Sequence, residues 1–148
     1  MRIVLDTNVV FSALLNTNGK LSRIILQPKS GLNFYTTNFL YDELKEHKRK
    51  LIKISGYTEL QFERAFGIIT NKIRVINFEL IPQRDYLKAF DLVSDIDIDD
   101  IEFVALTEHV KGHLWTSDKI LRKGLLSKKW ERLISTEELY RLKVKAKK

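Results

Sequence analysis

Apolar residues along this chain switch between two spacings, and the switches outline alternating strands and helices. Arg2-Ile3-Val4-Leu5 is a short apolar, β-branched run that stops at Asp6, as a strand buried on both faces does. Val9-Val10-Phe11-Ser12-Ala13-Leu14-Leu15 then reads as a helix over about 8–15, and a second helix follows near 20–27. Beyond it the pattern predicts a strand at Asn33-Phe34-Tyr35-Thr36, a long helix over about 38–53 with Leu40, Leu44 and Leu51 on its core face, and a helix near 58–72. The second half continues with a strand at Arg74-Val75-Ile76-Asn77-Phe78, helices near 83–93 and 98–110, a strand at His113-Leu114-Trp115-Thr116, a helix near 119–125, a strand at Arg132-Leu133-Ile134-Ser135 and a last helix over 136–143. Strands separated by helices require crossover connections. The expected fold is therefore a three-layer α/β/α sandwich around a mostly parallel sheet.

Composition narrows this to one domain. The 148 residues are 44% hydrophobic, enough for a single full core, with two prolines, six glycines and no repeat or low-complexity stretch. Cysteine is absent, so neither a disulfide framework nor a thiolate metal site is available. A core strand beginning at residue 3 leaves no room for a leader, and the apolar runs are too short to span a bilayer, so the expected location is cytoplasmic with no membrane contact. The basic stretch from about 143, Lys143-Val144-Lys145-Ala146-Lys147-Lys148, is expected to be a flexible tail.

Charge adds a class of partner. The net charge is +7, with clusters at Lys45, His47, Lys48, Arg49, Lys50 and Lys53 and again from Lys119 to Arg132, including Arg122 and Lys123. Cationic faces around a few acids suit the approach of a polyanion to an acidic pocket, although a lysine-rich helix face is equally what a solvated surface looks like.

Those acids sit at informative places. Asp6 and Asp118 each follow a strand, and if the two strands are neighbours their carboxylates converge at one edge of the sheet, where open α/β sheets bind ligands. Asp6 also reads as a simple helix cap, with Asn8 as a polar turn residue. Asp99-Asp100 open a helix near the positive end of its dipole, which favours ionised carboxylates; capping is the alternative, and turn chemistry accounts for Asp95 and Asp97. Glu43 lies at the border of the apolar stripe of its helix and can reach either the pocket or a surface partner such as Lys50 or His47. A group of carboxylates suits a hard divalent cation, Mg²⁺ or Mn²⁺, which generates a nucleophile from water without a histidine. His47, His109 and His113 form no catalytic grouping and read as surface or core residues.

Asp6-Thr7-Asn8 after the first strand, Asp42-Glu43-Leu44 on the long helix, Asp99-Asp100 ahead of Phe103-Val104-Ala105-Leu106, and Leu114-Trp115-Thr116-Ser117-Asp118 together resemble the PIN-domain nucleases, in particular the VapC-like toxin branch of toxin–antitoxin systems. The resemblance spans essentially the whole chain. It implies a sheet of about five strands in the order 3-2-1-4-5, an Mg²⁺ or Mn²⁺ site, and endonucleolytic cleavage of RNA. It carries over to Asp6, Glu43, Asp100 and Asp118 as catalytic and metal-ligating acids, with Asn8 and Thr116 in support. Asp99 stays open as an alternative to Asp100, since one step of register exchanges them. Lys45, Lys48, Arg49, Lys119, Arg122 and Lys123 are then the candidate RNA contacts. An antitoxin encoded nearby is an implied partner, and a homodimer another, for which Phe11, Leu14, Leu15, Ile24 and Ile25 offer more apolar surface than one core face needs; burial of both short helices is the alternative. Two other classes share the pattern. A haloacid-dehalogenase-type phosphatase has a second Asp two residues after the first, where this chain has Asn8; a non-catalytic module would use the same fold and charge to bind RNA or protein.

Overall fold

The computed structural model describes residues 1–27 and 31–146, the last four by backbone alone. Five strands, β1 (Arg2–Leu5), β2 (Asn33–Thr37), β3 (Ile73–Ile76), β4 (His113–Trp115) and β5 (Leu133–Ile134), form one parallel sheet in the order β3-β2-β1-β4-β5. β1 lies at the centre, with Ile3 opposite Phe34 of β2 and Leu5 opposite Trp115 of β4.

Alternation along β1 divides the core in two. Ile3 and Leu5 point to the layer built by α1 (Thr7–Leu15), α2 (Lys20–Leu26), α3 (Phe39–Ser55), α4 (Glu59–Thr70) and α8 (Thr136–Ala146). Val4 points to α5 (Gln83–Val93), α6 (Ile101–Val110) and α7 (Lys119–Ser127). A strand buried on both faces needs apolar residues at every position, which is why the run in β1 does not alternate in sequence. The chain lays down β2 and β3 on one flank of β1 and returns to place β4 on the other, so the switch point lies between the carboxyl ends of β1 and β4. The close approach of β4 to β1 depends on Gly112, where a Cβ would collide with the Arg2 carbonyl oxygen.

Element ends follow local chemistry. α3 stops at Gly56, whose φ of 72° is left-handed. α4 starts with a reciprocal cap, the Gln61 amide donating to the Thr58 hydroxyl at 3.1 Å and the Thr58 amide to Gln61 Oε1 at 2.8 Å. Two expectations are corrected. The strand expected over 74–78 ends at Ile76 because Asn77 Oδ1 accepts the Glu79 amide and starts a 3-10 turn, Phe78–Leu80. The helix expected over 98–110 divides into a 3-10 turn, Ile98–Asp100, and α6, because Asp97 Oδ1 captures the Asp99 amide. Of the basic stretch from about 143, residues up to Ala146 belong to α8, and Lys147 and Lys148 lie outside the described residues.

The apolar surplus on the first two helices is core. Phe11, Leu14, Ile24 and Ile25 are buried and Leu15 packs against them, so these residues leave no free face for a second copy. Two short helices wedged between the sheet, α4 and α8 are covered on more than one side.

Candidate metal centre

Asp6 leaves β1 and caps α1, its Oδ1 accepting the Val9 amide at 2.9 Å. Asp118 stands three residues beyond β4 and caps α7, its Oδ1 accepting the amides of Ile120 at 3.0 Å and Leu121 at 3.1 Å. Capping and ligation are compatible, because a carboxylate has about four acceptor sites and a cap does not use them all. Thr116 joins the two. Buried, it accepts the Asp118 amide on Oγ1 at 3.1 Å and hydrogen-bonds the Asp6 carboxylate. Burial pushes the Asp6 carboxyl above its ordinary range; the bonds from Thr116 and Val9 oppose this, and the charges of Asp118 and Glu43 reinforce it.

Asp100 occupies the junction between the 3-10 turn and α6 and makes no side-chain cap. Its Oδ2 is buried without a hydrogen-bond partner. Burial first, then the charges of Asp97, Asp6, Asp118 and Asp99, push its carboxyl up to about 7. Asp97, Asp100 and Asp118 each offer a ligand atom within 4.8 Å of the others. Neighbouring Asp99 is exposed on the rim.

Glu43 reaches the same cleft from α3 and is fixed there by Thr7, whose hydroxyl donates to Oε1 at 2.6 Å. Burial raises the Glu43 carboxyl, Thr7 and His47 oppose the shift, and Glu46 and Asp99 add to it. The cleft holds about 420 Å³ and is lined by Asp6, Glu43, Glu46, Asp97, Asp99, Asp100 and Asp118 with Thr7, Asn8, His47 and two phenylalanines. No lysine or arginine is among these lining residues, in a chain of net charge +7. Such a collection of carboxylates at the switch point could hold a cation.

Asp6, Glu43, Asp100, Asp118, Asn8 and Asp99 are thus brought to one cleft, with Thr116 behind it. The candidate basic contacts lie outside. Lys45, Arg49, Lys119 and Lys123 are exposed, whereas Lys48 is held by Glu63 and Glu59 of α4 and Arg122 reaches the Ile134 carbonyl at 3.4 Å. Asp97 is the turn residue expected and also joins the carboxylate triplet, as the acid-rich Asp95-Ile96-Asp97-Ile98-Asp99-Asp100 allows. Thr7 and His47 line the cleft through the packing of α1 on α3, which no local pattern reveals.

The family model described as PIN domain matches residues 4–138. The chain belongs to the PIN domain family. PIN domains are nucleases, which sets aside the phosphatase reading, and the divalent-cation chemistry of PIN nucleases accords with the acidic cluster. Among solved structures, a chain of VapBC2 from Rickettsia felis, determined bound to a DNA fragment from its promoter, superposes with a TM-score of 0.64 at 15% identity, covering 91% of this chain and 97% of that one. At that identity the likeness establishes a shared fold. No curated protein matches. Among the described residues of this PIN domain, no helix is long and apolar enough to cross a membrane.

Proposed function

We propose that this PIN domain is an Mg²⁺- or Mn²⁺-dependent endoribonuclease and the toxin of a toxin–antitoxin pair. The observation that carries the reading is Asp100, whose buried Oδ2 has no protein partner and whose neighbours Asp97 and Asp118 present oxygens within 4.8 Å. An all-oxygen donor set fits a hard divalent cation, which would satisfy the orphaned oxygen and relieve the mutual repulsion that raises Asp100. Asp100, Asp118 and Asp6 are assigned as the holding residues, with Asp97 and Glu43 completing the acidic wall. Asp100 is preferred to Asp99 because it is the less exposed of the two. Bound there, the ion would polarise a phosphoryl oxygen and lower the pKa of a water molecule.

The chain's own residues do the positioning. Thr116 keeps Asp6 and Asp118 in register, and Thr7 turns Glu43 into the cleft. Asn8 supplies an amide at the mouth. Exposed Lys45, Arg49, Lys119 and Lys123 attract the RNA backbone, while Lys48 and Arg122, already engaged, contribute less. The shared fold with a VapBC2 chain supports an antitoxin as partner. Pairing with a second copy would use surfaces other than the buried apolar residues of α1 and α2. A cytoplasmic location fits these partners.

The test is cleavage of single-stranded RNA by the purified chain in Mn²⁺ or Mg²⁺, beside hydrolysis of small phosphomonoesters. Cleavage silenced by EDTA, with no phosphomonoesterase activity, is expected; RNA cutting that persists in excess chelator would end the metal-dependent reading.

A further inference from the structure

A second groove opens from the carboxylate cleft and runs between α1 and α3. It holds about 400 Å³ and shares Asn8, Glu43 and His47 with the cleft, so the two spaces adjoin. Its character is different. Apart from the shared Glu43 it carries no carboxylate, and its lining adds Phe11, the hydroxyls of Ser12 and Ser117, and the ammonium of Lys50. His47 stands at the junction, one turn along α3 from Glu43, with its ring edge-to-face against buried Phe11 at 6.4 Å and 72°. The packing fixes one side of the imidazole. Its side chain is still 43% exposed, with Nε2 3.9 Å from a Glu46 carboxylate oxygen, and it lines the groove.

We propose that this groove is a base-binding subsite, in which His47 stacks on the nucleobase next to the phosphate that a cation at the carboxylates would hold. The inference rests on the endoribonuclease reading and adds where the substrate lies. A flat aromatic face beside small hydroxyl and amide groups suits a splayed, unpaired base: stacking tolerates any base, and Asn8, Ser12 and Ser117 offer donors and acceptors to its edge. Lys50 stands further along the groove, where the next backbone phosphate would pass. A duplex could not present a base this way.

The test compares the full-length wild type with His47→Ala and with His47→Phe, which keeps an aromatic face. Oligoribonucleotides carrying one 2-aminopurine at successive positions are titrated in EDTA, so that quenching reports stacking without turnover; a random-sequence RNA pool is cut in Mn²⁺ and the bases flanking the cut are counted. Wild type and His47→Phe should quench the probe at one position. His47→Ala should lose that quenching, bind roughly five- to a hundredfold more weakly, and cut with no preference at the flanking base. Equal quenching in wild type and His47→Ala, or cutting with an unchanged base preference, overturns the subsite and leaves the groove to a protein segment. A chain that fails to cut RNA in any metal yet shows His47-dependent quenching sinks the nuclease reading and leaves the subsite standing.

Discussion

The Thr7 hydroxyl donates to Glu43 Oε1 at 2.6 Å, across the interface between the first turn of α1 and the first half of α3. Thr7 follows Asp6 directly, so one dipeptide supplies a carboxylate to the cleft and fixes a second one from another helix. Hydrogen bonds to charged groups contribute about 1.5–3 kcal/mol. Thr7→Val, which keeps the shape and removes the donor, should lower kcat for RNA cleavage roughly tenfold. Thr7→Ser should retain most of it. A loss in Thr7→Ser with Thr7→Val near wild type would show that the methyl group, and so packing, is what matters.

Asp100→Asn and Asp118→Asn should each abolish most turnover while leaving RNA affinity nearly intact, because affinity comes from Lys and Arg. Asn also caps a helix, so Asp118→Asn should fold. Asp99→Asn should keep most activity, and Thr116→Val should fall between, since Thr116 acts through Asp6 and Asp118. Single-turnover rates with filter binding give the ranking. Asp99→Asn as damaging as Asp100→Asn would reverse the choice between these neighbours.

Why these acids were legible in sequence and others were not is a matter of chain geometry. Asp6 and Asp118 follow apolar strands, so covalent connection alone puts them at the sheet edge, and Glu43 is placed by helical periodicity. Asp97 depends on how one loop folds: the turn that uses its Oδ1 on the Asp99 amide also brings it to Asp100. His47 depends on how α1 packs against α3. Lys48 counted as one more cation in a cluster, and only the placement of α4 shows Glu63 and Glu59 holding it. The homodimer argument from Phe11, Leu14, Leu15, Ile24 and Ile25 failed for a related reason, since counting apolar residues does not reveal how many faces a short helix buries.

A control for global stability lies at the far end of α6. Glu108 accepts the Trp130 indole N–H at 2.6 Å and pairs with Lys88 at 3.1 Å, with its side chain 9% exposed. Glu108→Leu leaves the indole donor without its partner and should cost about 1–3 kcal/mol. Urea unfolding should record that loss. Rates of RNA cleavage below the new midpoint should match wild type, and a parallel loss of turnover would tie this end of α6 to the site.

The metal-free protein should gain stability as pH falls. Asp100 is raised in the fold to about 7 from an ordinary value of 3.8, so between those values the native state binds a proton that the unfolded chain does not. The associated stability is fully present below about 3.8 and is lost as pH rises through about 7. In EDTA, the melting temperature of wild type relative to Asp100→Asn should therefore climb from pH 8 to pH 5. A difference that stays flat would mean that Asp100 is not held against its charge.

The same repulsion makes a prediction for Asp6. Two carboxylates about 6 Å apart repel by about 3 kcal/mol at an effective dielectric of about 20, before screening reduces it. Asp6→Asn keeps the cap on Val9 and removes one charge from a group that includes Asp118 and Glu43. Without metal the variant should melt at or above the wild type. Mn²⁺ stabilises whatever state binds it by RT ln(1 + [L]/Kd), about 2.7 kcal/mol at a hundredfold excess over Kd, and the variant lacks one of the proposed ligands. Its melting temperature should rise less with Mn²⁺ than that of the wild type. Calorimetry with and without Mn²⁺ decides the matter: a metal-free Asp6→Asn clearly less stable than wild type, with an equal response to Mn²⁺ in both, would make Asp6 a structural cap and leave the cation to Asp97, Asp100 and Asp118.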